Sequence, residues 1–425
     1  MSAVADTAPT GAIYWPMGAR IADWAIAALV FIGGFVIVEP APYDLALVVI
    51  VAIWAAFGLK LNRYIMPMAV LMLAYVAGGF LALTQIDEFG RPLLYVAVTG
   101  FLVVSSIFFA AIVAEKPERR LALIGRAYVA SAVIVSLIGI LAYFGAFPNA
   151  EFFTLHDRAK GTFQDPNVFG PFLVLPATLL ARDVLTRPLS RSLGRIVWLL
   201  IILAAIFLSF SRGAWVMVVI TILATAYLAY ATEPRQLARF RLVAYLLAGA
   251  ATVAVMIAMA ISVPAVRDLY DQRVQVVQEY DGGQHGRFER HALGFALVQE
   301  RPLGLGPFEF GRSFGEDEHN TWLKGFTVYG WLGGFAYIVL AVWTVVAAAP
   351  LLFKPRPWLP MVQCTYVVFL GHLIVHNVID NDHWRHVFLI YGILWGAIAA
   401  EKMLARRRIA ELARTPARPA TWPAA

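Results

Sequence analysis

The sequence predicts an all-α polytopic membrane protein, and three observations carry that prediction. Hydrophobic residues make up 60% of the 425 and charged ones only 14%, against about 25% charged in an ordinary soluble domain, and mean hydropathy is +0.72. The apolar residues gather into runs long enough to cross a bilayer. Between those runs the basic residues form short clusters on alternate connections, so the net charge of +7 reports membrane topology and not a nucleic-acid surface.

A bilayer core needs roughly 20 apolar residues per helix, and lipid tolerates no unpaired backbone. Runs bounded by charge, Pro or Gly predict about 12 transmembrane helices, at 20–38, 44–59, 64–84, 92–114, 121–146, 167–185, 195–210, 213–231, 242–263, 321–349, 358–379 and 386–400. The second is short and fits a tilted or partly re-entrant segment. Residues 1–18 lack the basic and small-residue features of a cleaved signal, so the first run is expected to be a true span. Cys364, the one cysteine, lies in an apolar run, which excludes an intrachain disulfide and a Cys-based metal site. The chain shows no internal repeat and reads as one membrane domain, 1–425, with a basic, Pro-containing tail at 409–425 expected to be disordered.

Orientation follows from the basic clusters. Those around Lys60, Lys116, Arg187, Arg239 and Arg407 fall on one side, which places both termini in the cytoplasm. One connection is out of proportion to the rest, the extracytoplasmic loop 264–320. At 100° per residue, its segment GRFERHALGFALVQE sets Arg287, Arg290, His291 and Gly294 in one sector and Phe288, Ala292, Phe295 and Ala296 in another. That pattern predicts an amphipathic helix lying at the membrane surface, with a merely solvated helix as the alternative. PLGLG then turns the chain back to the bilayer.

Candidate chemistry gathers on the outer side. All eight histidines, at positions 156, 285, 291, 319, 372, 376, 383 and 386, fall there or in the outer half of a helix, and histidine is the side chain best suited to proton transfer near neutral pH. Arg212, in SFSRGAW at the turn between two spans, reads either as a snorkelling interface residue or as a ligand for an anion. Asp165 and Asn167, beside Pro166, read as a turn and helix cap compatible with one wall of a sugar cleft. In GHLIVHNVIDNDHWRH, His372 and His376 stand four apart before Asp380, Asp382, His383 and His386. A metal site, a hydrogen-bonded lid and a solvated loop all fit; no glutamate between the histidines completes a zinc motif, and the D-x-D stands alone.

GEDEHNTW places Glu316, Asp317, Glu318 and His319 at the mouth of the tenth span. Asn320 is a helix cap and Trp322 an interface anchor. Taken singly His319 is an ordinary interfacial residue, and three readings of the acidic run stay open: it raises the basicity of His319, positions a substrate hydroxyl, or solvates the loop end.

Four motifs in order resemble the O-antigen ligase and polysaccharide polymerase family: G-T-F-x-x-P-N at 161–167, S-R-G at 211–213, a loop arginine, Arg287, some fifteen residues before P-L-G-L-G at 302–306, and H-N, nine residues, then G-x-x-G at 319–333. The resemblance covers 160–335. It implies a type C glycosyltransferase-like helical fold and transfer of a glycan from a polyprenyl (undecaprenyl) diphosphate carrier to a saccharide or lipid A core acceptor. The reaction would take place at the outer face of the bacterial inner membrane, with no cofactor, no metal and no nucleic-acid partner. The carried-over roles are Arg212 and Arg287 on the diphosphate with Arg290 in reserve, and His319 as general base or acceptor-orienting group. His291, Asn320, Asp165, Asn167, His376 and Asp382 are expected to line the substrate site. Transfer would invert the anomeric centre. Ligase and polymerase share this donor chemistry and are not separated by the motifs. A polytopic transporter is the rival from another class, but its expected mid-membrane charges are missing, Asp23 being the clearest exception.

Overall fold

The computed structural model describes residues 16–274 and 286–414, and these are almost wholly helical. In chain order the helices are α1 (Pro16–Ile32), α2 (Pro42–Ala56), α3 (Met66–Ala82), α4 (Gly90–Glu115), α5 (Pro117–Tyr143), α6 (Pro166–Thr186), α7 (Leu193–Leu208) and α8 (Arg212–Thr232). They continue as α9 (Gln236–Ile261), α10 (Pro264–Val274), α11 (Arg287–Glu300), α12 (Glu309–Phe314), α13 (Thr321–Thr327), α14 (Gly330–Ala348), α15 (Leu359–Val375) and α16 (Arg385–Arg414). The only strands among the described residues are the two-residue pair β1 (Thr154–Leu155) and β2 (Arg158–Ala159). Each of the twelve expected runs contains a helix. Among the described residues eight helical segments are long and apolar enough to cross a membrane, and the other four runs carry α1, α2, α7 and α15, of 15 to 17 residues.

Small residues let the helices approach where lipid offers no hydrophobic drive between them. A Cβ on Gly396 would lie 2.6 Å from the Val113 Cβ, and one on Gly392 2.7 Å from the Phe109 Cβ, so α16 lies directly on α4. A Cβ on Gly78 would meet the Tyr329 carbonyl at 2.3 Å, which joins α3 to the start of α14. By contrast α9 buries only Leu242 and exposes apolar residues around its circumference, as a lipid-facing helix does. The charged exception in the first span, Asp23, is paired with Arg119 and Arg120 of α5.

Two boundaries differ from expectation. The tenth span is not one helix over 321–349, because it breaks between α13 and α14. The PLGLG loop enters the break: the N–H groups of Leu305 and Gly306 donate to the Thr327 carbonyl at 2.6 and 3.1 Å, and Trp331 N–H donates to the Pro302 carbonyl at 2.8 Å. Gly330 adopts φ +64° there, with the Leu303 carbonyl where a Cβ would stand. The last helix does not stop near 400 but runs to Arg414, since MLARRRIAELAR consists of good helix formers. The remaining tail, 415–425, lies outside the described residues.

The amphipathic segment is helical as expected, as α11. Arg290, Gly294 and Val298 are buried while Ala292, Phe295 and Ala296 are exposed. Its polar and small-residue sector therefore faces the protein: a Cβ on Gly294 would come within 2.7 Å of Leu323 in α13 and 3.0 Å of Phe310 in α12. The apolar sector faces outward.

Candidate functional site

One end of the bundle collects the polar residues, and α13 is its centre. Asn320 caps α13, its side-chain oxygen accepting the Leu323 N–H at 3.0 Å, and its amide donates to the Asn377 carbonyl at 3.3 Å. Thr321 N–H donates to the His376 carbonyl at 2.8 Å, and the Thr321 hydroxyl accepts the Asn381 N–H at 3.0 Å. These bonds dock α13 onto the loop between α15 and α16. The loop then threads Asp380 and Asp382 beneath α13, against α4.

Lys324 sits among them, buried within α13, with Nζ 3.5 Å from Asp380, 3.6 Å from Asp317 and 3.9 Å from Asp382. It also lies over the Tyr95 ring at 5.6 Å. Burial opposes its charge, and Asp380, Asp317 and Asp382 around Nζ offset that cost. Asp382 is resisted by burial too. Lys324 and the hydroxyl of Tyr95, which donates to it at 2.6 Å, hold its carboxyl below the usual range. Asp380 is raised, by burial first and by Asp382 and Asp317 in part, with Lys324 and His319 opposing. Burial pushes His383 down to about 4, so its ring is neutral when Nε2 meets the Thr99 hydroxyl at 2.8 Å. Sequence reading passed over Lys324 and Tyr95. The lysine was visible as a charge three residues inside an apolar run, a costly placement that calls for a partner.

His319 stands at the open edge of this network. Its backbone is left-handed, φ +49°, which costs a non-glycine residue about 1 kcal/mol, and the turn lifts the ring out of the line of α13. The side chain is 40% exposed, with Nδ1 3.6 Å from Asp380 Oδ2. The acidic run before it does more than solvate the loop end. Glu316 pairs with the buried Arg290 at 2.6 Å, Asp317 faces Lys324, and Glu318 is buried and accepts the Thr327 hydroxyl. Burial pushes the Glu318 carboxyl up to about 7, against the pull of Lys324 and with a push from Asp380. His291 Nε2 lies 2.8 Å from the Glu318 carbonyl. The run thus clamps the second turn of α11 beside His319.

This clamp also locates the expected arginines. Arg287 opens α11, about 6 Å of helix rise before His291; its side chain lies outside the described residues. Arg212 opens α8, where the Ser211 hydroxyl caps the helix. A Cβ on the adjacent Gly213 would stand 3.6 Å from Val375 of α15, the neighbour of the His376 whose carbonyl holds Thr321. The starts of α8 and α13 therefore meet the end of α15, and α11 packs on α13.

Other expected site residues have structural occupations. Asp165 caps α6, accepting the Asn167 N–H at 2.6 Å, and Asn167 accepts from Arg158 Nη2 at 2.8 Å. The same buried Arg158 donates from Nε to the Ser209 carbonyl at 2.8 Å, tying this turn to the one that presents Arg212. His376 is fully buried, with Nε2 2.7 Å from the Tyr337 hydroxyl. His372 and His386 are buried side by side with ring centroids 5.2 Å apart. Among the described residues no group of three or more His, Cys, Asp or Glu is placed to hold a metal ion. His285 falls outside the described residues.

No curated protein matches the chain. Residues 197–338 match a family model described as O-antigen ligase, so the resemblance read from the motifs is borne out over that segment. It takes in Arg212, Arg287, Arg290, His291, His319, Asn320 and Lys324, and leaves Asp165, Asn167, His376 and Asp382 outside. The match implies a membrane glycosyltransferase-type enzyme whose substrate is a polysaccharide or lipid-linked glycan.

Proposed function

We propose that this O-antigen ligase-like protein moves a glycan from a polyprenyl diphosphate carrier to a saccharide acceptor, lipid A core or a growing polysaccharide, at the periplasmic face of the inner membrane. The observation that carries the reading is the half-exposed His319, held beside Asp380 at the start of α13, with α11 clamped to the residues just before it. In the proposed step an acceptor hydroxyl loses its proton to His319 as its oxygen attacks the anomeric carbon from the face opposite the diphosphate. The anomeric C–O bond to the carrier breaks, and the diphosphate leaves with its charge taken up by Arg212 and Arg287. Attack from the opposite face inverts the anomeric centre. Asp380 lies beside the His319 ring that takes the proton, and Lys324 keeps Asp380 and Asp382 in place. Arginine suits the leaving group because its planar fork meets two phosphate oxygens at once. Glu316 holds Arg290 at the rim, where it serves as a reserve cation.

The test is a reconstituted reaction of the purified protein with a polyprenyl-diphosphate oligosaccharide and a core acceptor, with and without EDTA. The expected result is EDTA-insensitive transfer of the whole oligosaccharide to the core. Extension of the carrier-linked chain in place of core capping assigns a polymerase, and no transfer from any carrier-linked donor removes the proposal.

A further inference from the structure

At the other end of the bundle a cavity of about 640 Å³ opens between the α2–α3 connection, the α4–α5 turn and the last third of α16. It is remote from His319. Thr99 and Ala114 lie fifteen residues apart on α4, so this cavity stands more than about 20 Å from the polar network, along helices that cross the bilayer. Its floor is Ala111, Ala114 and Ala400, just past the glycine contact that brings α16 onto α4. Trp358, Met403 and Leu404 make an apolar wall.

The rim is cationic. Lys60, Lys116, Arg119 and Arg407 all line the cavity, with Glu115 and Glu118 as the acidic members. Lys116 lies 3.9 Å from Glu115, and Arg119 is paired with Asp23. Lys60 and Arg407 have no carboxylate partner among the described residues. Beside the rim, Phe57 is 88% exposed and Leu61 56%, so an apolar flank runs from the cavity mouth down the helices. Cations above, an apolar wall within and an exposed apolar flank below match an amphiphile with an anionic head. Basic pockets between membrane helices on the positively charged side take phospholipid headgroups for this reason.

We propose that this cavity binds the headgroup of an anionic glycerophospholipid, its phosphate between Lys60 and Arg407 and its acyl chains along Phe57 and Leu61. The site is separate from the transfer site and lies on the opposite membrane face. A zwitterionic headgroup is a poorer fit, because its ammonium meets a cationic rim.

The full-length protein in neutral detergent tests this, by native mass spectrometry and thermal unfolding with phosphatidylglycerol, phosphatidylcholine or inorganic phosphate added. Phosphatidylglycerol is expected to be retained and to raise Tm, and the other two are not. The Lys60→Ala/Arg407→Ala pair is expected to weaken retention about thirtyfold, whereas Arg408→Ala, outside the cavity, weakens it by about fivefold at most. Leu404→Trp narrows the cavity at its apolar wall without touching its charge and is expected to weaken retention as well. Equal retention of phosphatidylcholine, unchanged retention by the double variant or by Leu404→Trp, or equal stabilisation by phosphate alone would each overturn the proposal.

Discussion

His319 and the pair His372 and His386 lie at the same end of the bundle, and their surroundings separate them. His319 is half exposed, set in a strained turn, and faces a carboxylate that a lysine restrains. His372 and His386 are sealed beside Trp384; neither ring nitrogen of His372, nor Nε2 of His386, has a hydrogen-bond partner among the described residues. The difference teaches that a histidine works through access and a charge partner together. Four-residue spacing on a helix, which made His372 and His376 look like metal ligands, delivers neither.

The sharpest test of that contrast is on turnover. His319→Ala is expected to insert normally and to lose about 10²- to 10⁴-fold in glycan transfer, the usual contribution of a positioned acid or base, while His372→Leu retains transfer within a few-fold. Purified variants scored for transferred glycan decide it, and a dead His372→Leu with an unchanged Tm would break the comparison.

Next in size is the lysine behind the working histidine. Lys324→Met leaves Asp380 and Asp382 buried without their cation, which costs about 3–5 kcal/mol. The expected sign is a Tm lowered by many degrees in detergent; an unchanged Tm means that the carboxylates do not depend on Lys324.

The smallest effect is a pH dependence. Folding raises the Glu318 carboxyl from its ordinary value to about 7. The stability it contributes is complete below about pH 4 and is lost as pH rises through 7, when a buried carboxylate must form. Glu318→Gln keeps an acceptor for Thr327 and removes that titration. Its Tm relative to the parent protein is therefore expected to rise between pH 5 and pH 8, by the equivalent of at most about 3 kcal/mol. A constant difference across that range would show that Glu318 does not titrate there.

Much of this architecture was legible because its causes are local. Hydropathy over some twenty residues located twelve helices, the 100° pattern found α11, and the cap chemistry of Asn320 and Asp165 was readable from the residues themselves. The break at 328–329 was not, because it is made by carbonyl and amide groups of PLGLG more than twenty residues upstream. The acidic run misled for a similar reason. Glu316, Asp317 and Glu318 look like solvating charges until Arg290, Lys324 and Thr327 are placed around them.

By itself the sequence determined that the chain is a helical membrane protein, since lipid rewards apolar runs and penalises charge wherever they occur. Only the tertiary structure decided which polar residues meet. Asp382 lies 58 positions from Lys324 and nearly 300 from Tyr95 in the chain, yet all three share one buried cluster. Burial shifts a pKa, and partners choose its direction, only once distant segments are packed together.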